Sequence, residues 1–168
     1  ALIIAITSVT ILAEPAEAAT KQTRTGYYIG NGSESSVQNI GFQPDFVMVK
    51  QASGNAVSYF KTSAMGANET AVFSSAANLT SNLMSLTSSG FTTRGILTNS
   101  NELFHWVAIG GSDCSASGTF CVNSYTGTGA STQAISTGFQ PSVVVTKRNS
   151  ANSSTFRTAS MANGTGEY

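Results

Sequence analysis

Apolar residues along this chain fall into short clusters that are separated by Gly, Ser and Asn. Val, Ile, Phe and Tyr dominate the clusters, which is typical of β-strands joined by turns. The cluster from Phe46 to Lys50 follows Pro44, whose fixed φ and missing N–H place it at the start of a strand. The cluster from Leu103 to Ile109 is apolar at both alternating sets of positions, which predicts a central strand covered on both faces.

One segment, Val72 to Leu86, competes as a helix because its apolar residues recur at three- and four-residue spacing. Ser, Thr and Asn crowd the same segment and weaken a helix there. A single short helix therefore stays open within an otherwise all-β fold. Two packed antiparallel sheets, in a jelly-roll or lectin-like β-sandwich, are the most economical way to bury the predicted strands.

An internal repeat organises the chain. The segment from Tyr28 to Lys50 returns from Tyr125 to Lys147 without a gap, at an offset of 97 residues (125 − 28). Phe60 to Met65 matches Phe156 to Met161 at an offset of 96, so one residue is lost in a loop (156 − 60). The sequence predicts a tandem repeat whose second copy is truncated, and therefore a chain that is a fragment of a longer protein.

These observations predict four regions. Residues 1–19 are interpreted as a signal peptide remnant, because an apolar stretch from Leu2 to Leu12 precedes a small-residue site at Ala16 and Ala18. Residues 20–112 form the first sandwich repeat, 113–121 a linker, and 122–168 the N-terminal half of the second repeat. We expect a secreted or cell-surface protein with no membrane span after processing, since the apolar stretch is too short to cross a bilayer. A buried strand or a retained assembly segment are the alternatives for the apolar stretch.

Two cysteines, Cys114 and Cys121, enclose a short loop rich in Ser and Gly. In an oxidising compartment we expect them to form a disulfide. Two cysteines and one histidine do not supply the four ligands of a zinc site, so no metal and no other cofactor is expected.

The charge composition of the chain limits the kinds of partner that it can bind. Charged residues make up only 10% of the chain, and Lys plus Arg (8) balance Asp plus Glu (8). Binding to nucleic acid or to anionic lipid requires a basic patch, and no basic run occurs in the sequence. We therefore exclude nucleic acid as a primary partner and leave a glycan or cell-surface component as the candidate.

The motifs Tyr-x-Gly-x-Gly, Gly-Phe-Gln-Pro and Phe-His-Trp-Val-Ala resemble a repeated β-sandwich domain of unknown function found in secreted bacterial proteins and phage tail proteins. The resemblance covers nearly all of the first repeat and the available part of the second. It implies a lectin-like sandwich displayed outside the cell or on a virion, and it brings no catalytic residues.

Catalytic chemistry finds little support in the sequence. His105 is the one histidine of the chain, and its strand favours a core or edge position bonded to the backbone over a catalytic role. The acids that follow residue 19 mostly fall in polar turns, which does not favour a facing carboxylate pair; they are Glu34, Asp45, Glu69, Glu102, Asp113 and Glu167. We therefore expect a protein that is not an enzyme.

Side chains shared by the two copies are the candidates for ligand binding, because an exposed aromatic beside a cation can stack on and hydrogen-bond to a sugar. With the strand tryptophan, the set is Tyr28, Lys50, Lys61, Trp106, Tyr125, Lys147 and Arg157. The alternative is that the tyrosines pack the core and the cations cap strand ends.

The leading functional hypothesis is a non-catalytic extracellular display or adhesion module with carbohydrate as the candidate ligand. Two alternatives stay open. One is a structural unit of a surface layer, filament or phage tail, and the other is an accessory domain of a secreted polysaccharide hydrolase.

Overall fold

A computed structural model describes residues 20–33 and 36–161, the side chains of residues 36 and 37 excepted. The strands of this part of the chain are β1 (Gln22–Ile29), β2 (Ser36–Asn39), β3 (Phe46–Gln51), β4 (Tyr59–Thr62), β5 (Ala71–Val72), β6 (Met84–Thr87), β7 (Gly90–Thr93), β8 (Leu103–Gly110), β9 (Val143–Thr146) and β10 (Thr155–Thr158). A 3₁₀ turn spans Gly95–Thr98. The predicted signal peptide remnant, residues 1–19, lies outside the described residues.

Three antiparallel sheets contain these strands. The largest has the order β1-β8-β3-β4-β5, the second β2-β7-β6, and the third is the β9–β10 hairpin. β8 pairs with β1 from Gln22↔Gly110 to Ile29↔Leu103, and on its other side it pairs with β3. The predictions of an antiparallel all-β fold and of a central strand at Leu103 to Ile109 are thus confirmed.

The segment that competed as a helix is not one. β5 ends at Val72, an isolated bridge joins Thr70 to Leu79, and β6 begins at Met84. Thr70 Oγ1 accepts a hydrogen bond of 3.2 Å from the Met84 backbone N–H, so the segment folds back on itself. The apolar residues of this segment are buried at separate points along a loop, and this produces their spacing. The polar residues between them favour turns over a helix.

One hydrophobic core joins the two larger sheets. Its buried members are Tyr28, Val47, Val49, Phe104 and Ala108 from the five-stranded sheet, Met84 and Phe91 from the three-stranded sheet, and Ile40, Phe42, Leu83 and Leu97 from the connections. Across the core the ring of Phe91 meets that of Trp106 edge-on, with centroids 5.5 Å apart. This edge-to-face geometry is a favoured arrangement of aromatic pairs.

The outer face of β8 is less covered than the sequence predicts. Phe104 and Ala108 point into the core and are 1% and 0% exposed. On the opposite face Val107 is half-buried and His105 is exposed. The expectation of a strand covered on both sides was therefore wrong, and apolar residues on the outer face reflect a partly open sheet surface.

The chain between β8 and β9 has no strand. Its start is tied down by hydrogen bonds, because the Ser112 N–H donates to Asp45 Oδ2 over 2.8 Å and the Asp113 N–H donates to the Phe120 carbonyl over 2.8 Å. Cys114 and Cys121 form a disulfide across this loop. No helix in the described part of the chain is long and apolar enough to cross a membrane.

Candidate functional site

Tyr28 belongs to the hydrophobic core. It is 7% exposed, its ring stacks on Phe104 with centroids 5.1 Å apart, and its hydroxyl donates to the Leu97 carbonyl over 2.7 Å. Burial raises the pKa of Tyr28 to about 12, and a hydrogen bond with the Thr93 side chain opposes the shift. The hydroxyl therefore stays protonated and ties β1 to the 3₁₀ turn.

The shared lysines close hairpin loops. Lys50 Nζ donates to the Ala56 carbonyl over 2.5 Å in the loop between β3 and β4. Lys147 Nζ donates to the carbonyl of Asn152, the equivalent position in the loop between β9 and β10, and also to the Ser74 carbonyl over 3.2 Å. An ammonium group can satisfy several carbonyls at once, which explains the same residue at the end of both strands.

Lys61 is buried and holds the loop that follows β4. Its Nζ donates to the carbonyls of Gly66, Ala67 and Glu69 over 2.8, 3.0 and 2.7 Å. Burial lowers the pKa of Lys61, and the charge of Glu69 opposes that effect. Arg157 occupies the matching position in the second hairpin, where it pairs with Val144 as Lys61 pairs with Val47.

Trp106 and Tyr125 lie in different surroundings. The Trp106 indole packs on the core and covers Gly26, where a Cβ atom would stand 2.5 Å from Trp106 Cζ2. Its Nε1 is buried and finds no acceptor within the described ranges. Tyr125 is 56% exposed and lies in irregular chain before β9. The structure thus does not bring the predicted residues together into one site.

A different group of side chains forms an exposed aromatic surface on the outer face of the five-stranded sheet. We call Tyr27, Ile29 and His105 the outer patch. Tyr27 is 68% exposed, it pairs directly with His105 across β1 and β8, and the two rings lie 6.4 Å apart. Lys50 pairs with His105 from the other side, so tyrosine, imidazole and lysine follow one another across three strands.

Sequence reasoning missed Tyr27, although a signal was present. Tyr27 and Tyr28 are adjacent in a strand, and adjacent side chains point to opposite faces. The repeat retains only the inner one, since Tyr28 corresponds to Tyr125 and Tyr27 to Ser124. Tyr27 lies on the sheet face opposite the core, where a ligand can reach its ring.

Glu102 lies at the end of β8 nearest to Ile29. Its carboxylate accepts a hydrogen bond of 2.7 Å from Ser53 Oγ. Hydrogen bonds from Ser53 and then Gln51 lower the pKa of Glu102, so it presents a fixed anionic acceptor beside the patch. Glu102 is half-buried, and the side chains that bond to its carboxylate are neutral.

One concave feature follows the end of β1. A shallow cleft of about 170 Å³ lies between the Gly32–Ser33 turn and the 3₁₀ turn with its following residues, Asn99 and Ser100. Pockets for small organic ligands usually enclose about 300–1,000 Å³. Within the described residues no three His, Cys, Asp or Glu side chains are grouped as a metal site would need. The outer patch, with exposed side chains on paired strands, is the candidate site.

The fold and the patch define an antiparallel all-β domain that presents an aromatic surface on one sheet. The model of a domain of unknown function, DUF7483, matches residues 18–165, and the chain belongs to this family. No curated protein and no solved structure matches the chain.

Proposed function

We propose that this chain is a non-catalytic display and adhesion module that binds carbohydrate through the outer patch. The observation that carries the proposal is the exposed Tyr27 ring, 68% accessible, held against His105 on paired strands. An exposed aromatic face stacks on the C–H face of a sugar ring, and the imidazole can exchange hydrogen bonds with its hydroxyls.

The outer patch lies on paired strands, and this rigid support favours it over the loops as a binding site. β1 and β8 pair along eight residues each, so the Tyr27 and His105 backbones are fixed by ladder hydrogen bonds. Little conformational entropy is then lost when a ligand binds. An exposed aromatic surface also suits an extended polysaccharide, which does not need an enclosed pocket.

The wider context of the proposal is a β-sandwich displayed outside the cell. A core shared by two antiparallel sheets is the arrangement that a sandwich requires. The Cys114–Cys121 disulfide fits an oxidising compartment, as expected for a secreted or cell-surface protein. We interpret residues 122–161 as the beginning of a second copy of the same domain.

A glycan array with the purified chain tests the proposal. Saturable binding is expected, and Tyr27→Ala and His105→Ala should each weaken it on the order of tenfold, which corresponds to about 1.4 kcal/mol per side chain. Circular dichroism establishes that each variant keeps the native fold.

Tyr125→Ala serves as the matched control, since Tyr125 is exposed to a similar degree and lies outside the outer patch. Binding that survives Tyr27→Ala, or is lost with Tyr125→Ala instead, would contradict the assignment to the patch. A folded chain that binds no glycan would sink the carbohydrate proposal.

A structural role in a surface layer, filament or tail is the second candidate. It is favoured by the exposed apolar strand β9, in which Val143, Val144 and Val145 are 59%, 39% and 50% accessible. Exposed apolar strands are typical sites of association between chains. Regular particles formed by the purified chain, visible by electron microscopy, would select this function.

A further inference from the structure

The β9–β10 hairpin repeats the β3–β4 hairpin pair by pair. Phe46↔Thr62 corresponds to Val143↔Thr158, and Val49↔Tyr59 to Thr146↔Thr155, at the offsets of 97 and 96 found in the sequence.

Smaller contacts repeat as well. The Ser63 N–H donates to the Asp45 carbonyl over 2.8 Å, and the Ala159 N–H donates to the Ser142 carbonyl over 2.9 Å at the equivalent place. Gly41 and Gly138, which precede the two hairpins, have φ of +87° and +81°. The two hairpins are therefore the same structural unit.

Burial distinguishes the two hairpins. Val47 is 0% exposed and its equivalent, Val144, is 39% exposed. Phe60 is 6% exposed, whereas Phe156 is 42% exposed. Equivalent apolar side chains are thus buried in the first hairpin and exposed in the second. Contact of apolar side chains with water is unfavourable.

The two hairpins also differ in their neighbouring strands. β3 lies between β4 and β8, and it pairs with β8 from Phe46↔Ile109 to Gln51↔Phe104. β9 pairs only with β10 in the described part of the chain. Among the described residues, no strand is bonded to the edge of β9 that corresponds to the β8 side of β3, and the valines of β9 are exposed.

We propose that this edge of β9 is a strand-acceptor site, which takes an antiparallel strand with the β8 sequence pattern from a further copy of the domain. The register follows from the first hairpin. Val143 would lie opposite the isoleucine of the pattern, Val144 opposite the alanine, and Thr146 opposite the tryptophan. Strand addition supplies backbone hydrogen bonds for affinity, and the alternating side chains supply selectivity.

Antiparallel geometry identifies the backbone groups involved. Alternate residues of a strand direct their N–H groups to opposite neighbours. Because Ser142 is bonded to Ala159 on the β10 side, Val144 and Thr146 also face β10. The N–H groups of Val143 and Val145 consequently face the acceptor edge.

Amide hydrogen exchange, followed by NMR on the full chain, tests the site. The probe is a synthetic peptide with the sequence of residues 101–111, and a scrambled peptide of the same composition is the control. Binding should slow exchange at Val143 and Val145 on the order of tenfold or more, while Val144 and Thr146 change little. The proposal concerns β9 alone and does not depend on glycan binding.

Val145→Pro provides the matched variant. Proline removes the N–H that faces the acceptor edge and leaves the β10 side of the ladder intact, a position that a strand tolerates. This variant should keep the hairpin and lose the peptide.

Three results would overturn the proposal. They are unchanged exchange at Val143 and Val145 under saturating peptide, equal protection by the scrambled peptide, and equal binding by Val145→Pro. Protection of the two amides without peptide, together with a dimeric mass, would instead assign the edge to pairing between two copies of β9.

Discussion

At the residue scale, the hydroxyl of Tyr28 makes the clearest measurable contribution. Its pKa is raised to about 12 by burial, above the ordinary value of 10.0. Between about pH 10 and 12 the folded chain therefore binds more protons than the unfolded chain at this group. The free energy of unfolding should be fully supported below pH 10 and should fall as the pH rises through this window.

Tyr28→Phe is the variant that isolates this effect. It leaves the buried Leu97 carbonyl without its 2.7 Å donor, so the free energy of unfolding should drop by about 1–2 kcal/mol at neutral pH. The variant should also lose stability less steeply than the native chain between pH 10 and 12. Urea unfolding at a series of pH values measures both quantities, and parallel curves for the two proteins would contradict the prediction.

The ammonium group of Lys61 should also contribute to the free energy of unfolding. Lys61→Met keeps the apolar stem but leaves the carbonyls of Gly66, Ala67 and Glu69 without their donor. We expect a loss of about 2–3 kcal/mol in the free energy of unfolding. Lys21→Met, at an exposed position, is the control and should change stability by less than about 0.5 kcal/mol. Similar values for the two variants in urea would refute the structural role of Lys61.

The sequence indicated which residues matter at this scale but not where they face. The similarity between the two sequence segments singled out Tyr28, Lys50 and Lys61, and in the structure each of them holds backbone or core in place. The sequence is consistent both with ligand contact and with a role as strand caps and core residues. The choice between these two interpretations required the strand register, which depends on pairing with residues far along the chain.

At the element scale, the two hairpins offer an internal comparison. Val47→Ala removes two buried methyl groups and should lower the free energy of unfolding by about 2 kcal/mol. Val144→Ala, the same substitution at the equivalent exposed position, should change it by less than about 0.5 kcal/mol. Guanidinium unfolding followed by Trp106 fluorescence measures both variants, and equal losses would mean that β9 is already covered in solution.

The positions of strands were predictable where the residue composition of a segment and the turn residues beside it both indicate a strand. Phe46 to Lys50 and Leu103 to Ile109 were located within one or two residues of β3 and β8. Val72 to Leu86 was ambiguous because helical spacing of apolar residues also arises when a loop touches the core at intervals. Tertiary contacts such as the Thr70–Leu79 bridge decide such a segment, and they have no local signature.

At the scale of the whole molecule, the all-β class followed from the sequence, whereas the sheet order did not. The order β1-β8-β3-β4-β5 places the first and last strands of residues 20–110 side by side. Several orders would bury the same apolar residues, so the pattern alone does not select one. The outer patch was missed for the same reason, because it exists only where Tyr27 meets His105 across that pair.

The pairing of β1 with β8 also has a consequence for how the chain folds. Gln22 and Gly110 are partners although 88 residues separate them (110 − 22), while the β9–β10 hairpin closes over a short local loop. Contacts between distant residues form slowly, since the entropy of closing a long loop opposes them. On a ribosome, β1 must therefore wait without its partner until residue 110 has emerged. During that time the positive charges of Lys21 and Arg24 would help to keep the unpaired strand from joining a neighbouring chain.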